Sequence, residues 1–386
     1  MKTIRTAIFG TGFMGRVHLE GVRRVENVEA AAVVGRNQEA ARRLGGAFGV
    51  PKIAADYREV LCDPSIDAVH ICTPNAQHFS MAKDALEAGK HVLCEKPLTT
   101  TVAEAEEIAA LASRKGLRNC VCHNLRYYPQ VQQMRRMREA GVLGDILVVQ
   151  GTYSQDWLLY DTDWNWRVDS KAGGASRCMA DIGSHWFDMA EHVTGLRLAS
   201  LCADLQTFHP TRKQPKGSVE TFANKMMGPG DYVETAIDTE DFGAVVFRMG
   251  TRTRGSMTAS QVSAGRKNGL RIEVYGTKAS AAWNQESPDE LWVGHRDAGN
   301  EIFVKDPALL RPEARSYADL PGGHSEGYDD TFKQVFRRFY GSIREGSSAE
   351  YPQFNDGLRQ MVILNTVLES NRKRGWIDVP AFKNSK

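Results

Sequence analysis

Residues 3–124 alternate four times between a short apolar run rich in β-branched residues and an amphipathic helical stretch. This alternation limits the possible folds more than any other feature of the chain. The apolar runs are TIRTAIFG, VEAAAVVG, AVHICTP and HVLCEKP, and NCVCHN closes the series. Each run is followed by a helical pattern, the first being TGFMGRVHLEGVRRV. Such a series predicts a doubly wound parallel sheet of the Rossmann α/β type. After residue 125 the texture changes. ILVVQGTYS, AVVFRM, TRGSMTASQV, LRIEVYG and ELWVG read as strands, with little helix between the last four. They predict a second α/β domain around a large, mostly antiparallel open sheet. Two helical stretches, about 326–344 and 354–373, end the chain, and 209–231 reads as a long polar loop. With 386 residues, two domains are expected, 1–124 and 125–386.

The chain has 49 basic and 47 acidic side chains and a net charge of +2, with no long run of either sign. That gives no electrostatic reason to expect a nucleic-acid or anionic-membrane partner. No apolar stretch reaches membrane-spanning length and no signal peptide is visible, so a cytoplasmic protein is expected. Seven scattered cysteines, an odd number, argue for reduced, mostly buried thiols.

Gly10-Thr11-Gly12-Phe13-Met14-Gly15 follows the first strand and opens the first helix. A Gly-x-Gly-x-x-Gly turn is weak evidence alone, but in this context it predicts a backbone that approaches a dinucleotide pyrophosphate at a helix N-terminus. At the end of the second strand, where an acid would read the ribose hydroxyls, the residues are Arg36 and Asn37. An arginine there favours NADP over NAD, unless it stacks on adenine or faces water. Thr73, Pro74 and Asn75 end the next strand at its carboxyl edge, where cofactor contact and simple helix capping by Asn75 stay equally open. His78 nearby reads as a helix-surface residue rather than a ligand.

Glu95-Lys96-Pro97 leaves the core at the carboxyl end of another parallel strand. A lysine there can donate to a hydroxyl or alkoxide oxygen, although composition alone would favour a surface lysine paired with Glu95. In GGASRCMADIGSHWFD, Asp181 and His185 are four apart and share a helix face, with Asp188 three further on. Gly183 between them permits close approach of a backbone or ligand. Histidine is the usual base for a hydroxyl proton, and a carboxylate can orient it. No further ligand set stands at metal-binding spacing, so no metal is expected.

Together, FGTGFMG, CTPNAQH, CEKP, HNLRYYP, GGASRCMADIGSHWFD and GHSEGYDDTF resemble the Gfo/Idh/MocA family of NAD(P)-dependent sugar and inositol oxidoreductases over essentially the whole chain. The resemblance implies an N-terminal Rossmann domain and a C-terminal domain whose open sheet joins copies into a homodimer or homotetramer. It implies catalytic roles for Lys96 and His185 with Asp181 assisting, and a nicotinamide site lined by Lys96 and Pro97. The second-strand acid common in NAD-using members is missing.

YSQDWLLYDTDWNWRVD, 153–169, holds three of the seven tryptophans. Tyr153, Trp157, Trp164 and Trp166 offer flat faces for a pyranose, and Asp156 and Arg167 offer groups for vicinal hydroxyls. A core-lining or subunit-contact loop is equally consistent. Asn124, Arg126 and Tyr127 follow the last Rossmann strand, and His324 precedes the penultimate helix; all four can reach the same sugar or polyol. The expected reaction oxidises a ring hydroxyl to a ketone, or the reverse. A redox-cycling NAD(P)-dependent glycosidase and a non-catalytic nucleotide sensor remain as alternatives.

Overall fold

The computed structural model describes residues 3–217, 230–346 and 350–381 and divides into two compact units, 1–124 with 328–361 and 125–327 with 362–386. The first unit is built on six parallel strands: β1 (Ile4–Phe9), β2 (Val28–Val34), β3 (Lys52–Ala54), β4 (Ala68–Ile71), β5 (His91–Cys94) and β6 (Asn119–Val121). Their order is β3-β2-β1-β4-β5-β6. The order reverses between β1 and β4, and at such a point the carboxyl ends of the strands open a crevice. The middle strands read almost wholly apolar because helices cover both faces, and Ala7, Ile8, Phe9, Val69 and Ile71 are fully buried.

Five helices connect these strands: α1 (Phe13–Arg23), α2 (Gln38–Phe48), α3 (Tyr57–Leu61), α4 (His78–Glu87) and α5 (Val102–Lys115). The threonine cluster after Pro97 caps α5. Thr101 accepts from the Glu104 backbone while Glu104 reaches back to the Thr101 N–H, a reciprocal capping box.

The unit also takes in residues 328–361, which the sequence reading had placed with the second domain. The reason is aromatic packing. Phe332 and Phe336 lie on the helix Tyr328–Glu345 and press against the His18 ring of α1, at 5.6 and 5.0 Å between ring centres.

The second unit carries a nine-stranded sheet. Its middle is formed by Ile146–Ser154, Thr253–Ser260, Phe242–Met249 and Gly269–Gly276. Pairing is antiparallel except between Ile146–Ser154 and Thr253–Ser260, which run parallel. One face buries Val149, Val245, Phe247, Met257, Ile272 and Val274. Trp186 and Phe187, on the helix Ser184–Thr194, cover Phe247. The predicted loop 209–231 is partly regular, since Thr211–Pro215 pairs antiparallel with Tyr232–Ala236; residues 218–229 lie outside the described residues. Among the described residues no helix is long and apolar enough to cross a membrane.

Candidate active site

The glycine turn fits a dinucleotide. Gly10 has φ +115°, and a Cβ there would lie 2.6 Å from the Cys72 carbonyl oxygen, so only glycine lets the ends of β1 and β4 meet. A Cβ on Gly15 would lie 2.1 Å from the Gly10 oxygen. Gly12 caps α1 with no side-chain hydrogen bond, and a Cβ there would meet nothing within 4 Å. The turn is thus packed tight at its first and third glycines and open at the second, where a pyrophosphate would approach the helix N-terminus. Phe13 and Arg36 are exposed, while Thr11 and Met14 are half-buried. Asn37 caps α2 through the Ala40 N–H at 3.0 Å, so its side chain serves the helix.

The CTPNAQH stretch differs from expectation at two residues. Asn75 is buried and opens a 3₁₀ turn, while the cap position of α4 is Gln77, so Asn75 is not that helix's cap. His78 is fully buried rather than on the helix surface. Its Nδ1 faces the Pro97 carbonyl and its Nε2 the Thr73 carbonyl, both at 2.9 Å, so the ring ties the exits of β4 and β5 together. Burial lowers its pKa despite these two carbonyls.

Glu95 does not form the surface pair with Lys96 that composition alone would favour. It is buried and faces inward, with Oε1 3.0 Å from His18 Nε2 and Oε2 accepting the Lys96 backbone N–H at 3.2 Å. The ladder continues from His18 Nδ1 to His70 Nδ1 at 2.9 Å and from His70 Nε2 to the Tyr340 hydroxyl at 2.7 Å. Burial alone would raise the Glu95 pKa; the His18 bond, the Lys96 charge and the Cys122 thiol outweigh it and bring the pKa below the ordinary value. An ionised Glu95 accepts from the His18 Nε2–H. His18, Glu95 and Cys122 also lie close enough to hold a metal ion among the described residues, but their hydrogen bonds account for the grouping. Lys96 itself is half-buried at the exit of β5, and the Lys96–Pro97 peptide is cis.

In the second unit, Asp181 and His185 do not share a regular α-helix. Met179–Gly183 forms a π-turn in which Ser184 N–H bonds Met179 O, and the α-helix begins only at Ser184. Such turns recur at functional sites because they re-aim side chains. Glu240 anchors the segment: its Oε1 accepts from Ser176 Oγ, Arg177 N and Met179 N. A Cβ on Gly183 would meet the Met179 side chain, not another backbone. Both Asp181 oxygens accept hydrogen bonds, Oδ1 from Arg167 Nε at 3.1 Å and Oδ2 from Gln261 Nε2 at 2.9 Å. His185 is buried beside the Tyr153 ring, 6.4 Å between centres. Asp188 is buried and accepts from Nε and Nη2 of Arg126, one on each oxygen.

The tryptophan segment is packed as well as polar. Trp157 and Trp164 lie against Leu158, Val168 and Ile237. The Arg167 guanidinium lies 4.4 Å from the Trp166 ring centre. Buried Arg212 holds the loop by its backbone, donating to the carbonyls of Leu158, Tyr160 and Asp163 and to Asp241. Asp156 accepts from Lys267 Nζ at 2.6 Å and Gly265 N at 3.0 Å. Trp157 Nε1 donates to Gln155, whose amide donates to Asn268 Oδ1, which also receives the Tyr153 hydroxyl. Asn124 donates to Thr331 Oγ1 at 2.8 Å, and Tyr127 is buried against Tyr317. His324 is exposed, and its carbonyl accepts from Lys305. Sequence reasoning missed Gln155, Gln261 and Asn268, none of which stood among the candidate residues and all of which gain meaning only from tertiary pairing. Arg212 and Asp241 carry no signal either, one lying beside Lys213 in a polar stretch and the other just before the strand Phe242–Met249.

Comparison with known proteins follows the same lines. A family model described as "Oxidoreductase family, NAD-binding Rossmann fold" matches residues 4–123, and "GFO/IDH/MocA C-terminal domain" matches 131–282. Levoglucosan dehydrogenase of Pseudarthrobacter phenanthrenivorans is 31% identical over 98% of this chain and 99% of its own. The crystal structure of a levoglucosan dehydrogenase with NADH and L-sorbose superposes with a TM-score of 0.89 at 29% identity, covering 99% of this chain and 100% of that one. An inositol dehydrogenase homologue from Azotobacter vinelandii complexed with NAD⁺ gives 0.85 at 26% identity, covering 98% and 97%.

Proposed function

The chain belongs to the Gfo/Idh/MocA family of NAD(P)-dependent oxidoreductases, and from that premise we propose that it oxidises a ring hydroxyl of a pyranose, glycoside or inositol to a ketone, or runs the reverse reduction. One observation carries this reading: a buried imidazole, His185, follows by four residues a carboxylate, Asp181, both of whose oxygens are held by donors. An oriented acid–base pair of this kind suits proton removal from a hydroxyl near neutral pH.

The turn Gly10–Gly15 and the residues after β4 and β5 would hold the cofactor, with Arg36 favouring NADP. A bound nicotinamide supplies the hydride acceptor. His185 takes the hydroxyl proton at a ring nitrogen. Asp181, a fixed negative charge, stabilises the imidazolium that results. The Lys96 ammonium donates to the same substrate oxygen as negative charge builds there. The Rossmann exit residues Thr73, Pro74 and Pro97 shape the cofactor's surroundings, and the tryptophan segment supplies apolar faces for the sugar ring. The open face of the nine-stranded sheet exposes Val148 and Val246 among polar neighbours, and association of copies through it into a homodimer or homotetramer is part of the same reading. So is a cytoplasmic location.

The test is absorbance of reduced nicotinamide with NAD⁺ or NADP⁺ across free pyranoses, inositols and aryl glycosides. Growth of the signal with one class supports the reading, and a higher kcat/KM with NADP⁺ supports the role of Arg36, which Arg36→Asp should reverse. Aglycone release that needs cofactor but leaves no net signal replaces it with a redox-cycling glycosidase. Lys96→Met should still bind cofactor but lose at least about a hundredfold in turnover; parent-like turnover sinks the role given to Lys96.

A further inference from the structure

Arg167 stood among the residues expected to bridge substrate hydroxyls. Its surroundings give it another task. Its Nε donates to Asp181 Oδ1 at 3.1 Å and its Nη1 to Asn165 Oδ1 at 3.2 Å, while the flat of the guanidinium covers Trp166 at 4.4 Å. Asn165 is itself buried and caps the turn Trp166–Val168 through the Arg167 backbone N–H. The turn is closed from behind by Gly173, where a Cβ would lie 2.9 Å from the Arg167 carbonyl oxygen. The arginine is therefore set by four neighbours before any ligand arrives.

Gln261 completes the arrangement from the other side. It is fully buried, its amide nitrogen donates to Asp181 Oδ2 at 2.9 Å, and its backbone accepts from Leu158 N at 3.2 Å and donates to Asp241 O at 3.0 Å. Asp241 in turn anchors Arg212, which holds three carbonyls of the tryptophan segment. The segment and the Asp181 carboxylate thus hang on one frame. A carboxylate with a donor on each oxygen has one orientation; with one donor removed it can turn about its Cβ–Cγ bond.

We propose that Arg167 is a positioning residue: together with Gln261 it fixes the Asp181 carboxylate, and through its stacking on Trp166 it ties that carboxylate to the tryptophan segment. Its effect on the reaction passes through Asp181 and not through a substrate hydroxyl. The proposal rests on the dehydrogenase reading, in which Asp181 serves His185.

The test is a double-mutant cycle of Arg167→Met and Asp181→Asn, followed by steady-state kinetics and thermal melting. Arg167→Met should lower kcat by about 10- to 100-fold and leave the sugar KM within about threefold, because a misplaced carboxylate harms the transition state more than the ground state. Arg167→Lys, which restores a cation near Oδ1, should recover part of the loss. In the Asp181→Asn background, Arg167→Met should cost less than about threefold more, since residues acting as one unit are non-additive. If Arg167→Met fails to fold, the same cycle with Arg167→Lys makes the comparison. A KM rise above about tenfold with kcat intact would show direct substrate binding and overturn the proposal. So would an equal cost in both backgrounds. A crystal structure of Arg167→Met gives a readout that needs no turnover: a turned Asp181 side chain supports the proposal, and an unmoved one overturns it. A parent inactive on every sugar would instead strike the dehydrogenase reading, and the crystallographic result would stand apart from it.

Discussion

Glu95 is a carboxylate placed where donors converge. His18 Nε2, the Lys96 backbone N–H and the Cys122 thiol all address it, and it is buried. Burying a charge without such partners would be prohibitive; with them the ionised form is held. The side chain's chemistry decides what a near-isosteric change would do. Glu95→Gln replaces one acceptor oxygen by a donor, so at least one of the converging groups loses its partner. The expected cost is about 1–3 kcal/mol of stability, read by urea unfolding. Stability equal to the parent's would mean that Glu95 does not accept from all three. The sequence alone showed Glu95 beside Lys96 and nothing more. His18, His70 and Tyr340 are separated from it by up to 245 residues (340 − 95), and no local pattern marks them as its neighbours.

At the scale of elements, α1 shows how a cofactor turn and a core contact share one helix. Its N-terminus carries the glycine turn, and its inner face carries His18 and Gly21. A Cβ on Gly21 would lie 2.6 Å from Phe336 Cε2, so the glycine makes room for the aromatic ring. Phe336 is fully buried and lies edge-on to both His18 and His70, at 5.0 and 4.8 Å. Phe336→Ala should therefore cost about 3–5 kcal/mol, because the rigid rings around it cannot collapse into the space. Guanidinium unfolding checks this, and a loss below about 1 kcal/mol would show that the helix pair relaxes. The π-turn Met179–Gly183 is the other element that matters. Spacing alone placed Asp181 and His185 one α-turn apart; the π-turn follows directly on the stretch where Glu240 gathers Ser176, Arg177 and Met179, and Glu240 lies about 60 residues away.

For the whole molecule the buried histidines set an acid limit. Burial pushes His70 and His192 well below 6.5, and lowers His78 and His91 as well. In the unfolded chain these rings take up protons near pH 6.5, while in the folded protein they stay neutral. The unfolded state then binds more protons, so stability is full above about pH 6.5 and falls as the pH drops below it. Melting temperature should decline steadily from pH 7.5 to 5.5 at constant ionic strength. A flat profile over that range would contradict neutral, buried histidines.

What the sequence determined by itself was the alternation of strand and helix, the glycine turn with its context, and the Glu-Lys-Pro and Asp-x-Gly-x-His motifs. Each is local, since period, capping and turn chemistry act within about a dozen residues. Thr101 with Glu104 is an example, legible because both partners of the cap lie three residues apart. The tertiary structure alone decided which side chains pair with which. It turned Glu95 inward, buried His78 between two carbonyls, engaged Arg126 with Asp188, and set Gln261 against Asp181. The physical reason is common to all four: a hydrogen bond or ion pair forms between groups that folding brings together, and the stretches between them carry no trace of it in their own periodicity.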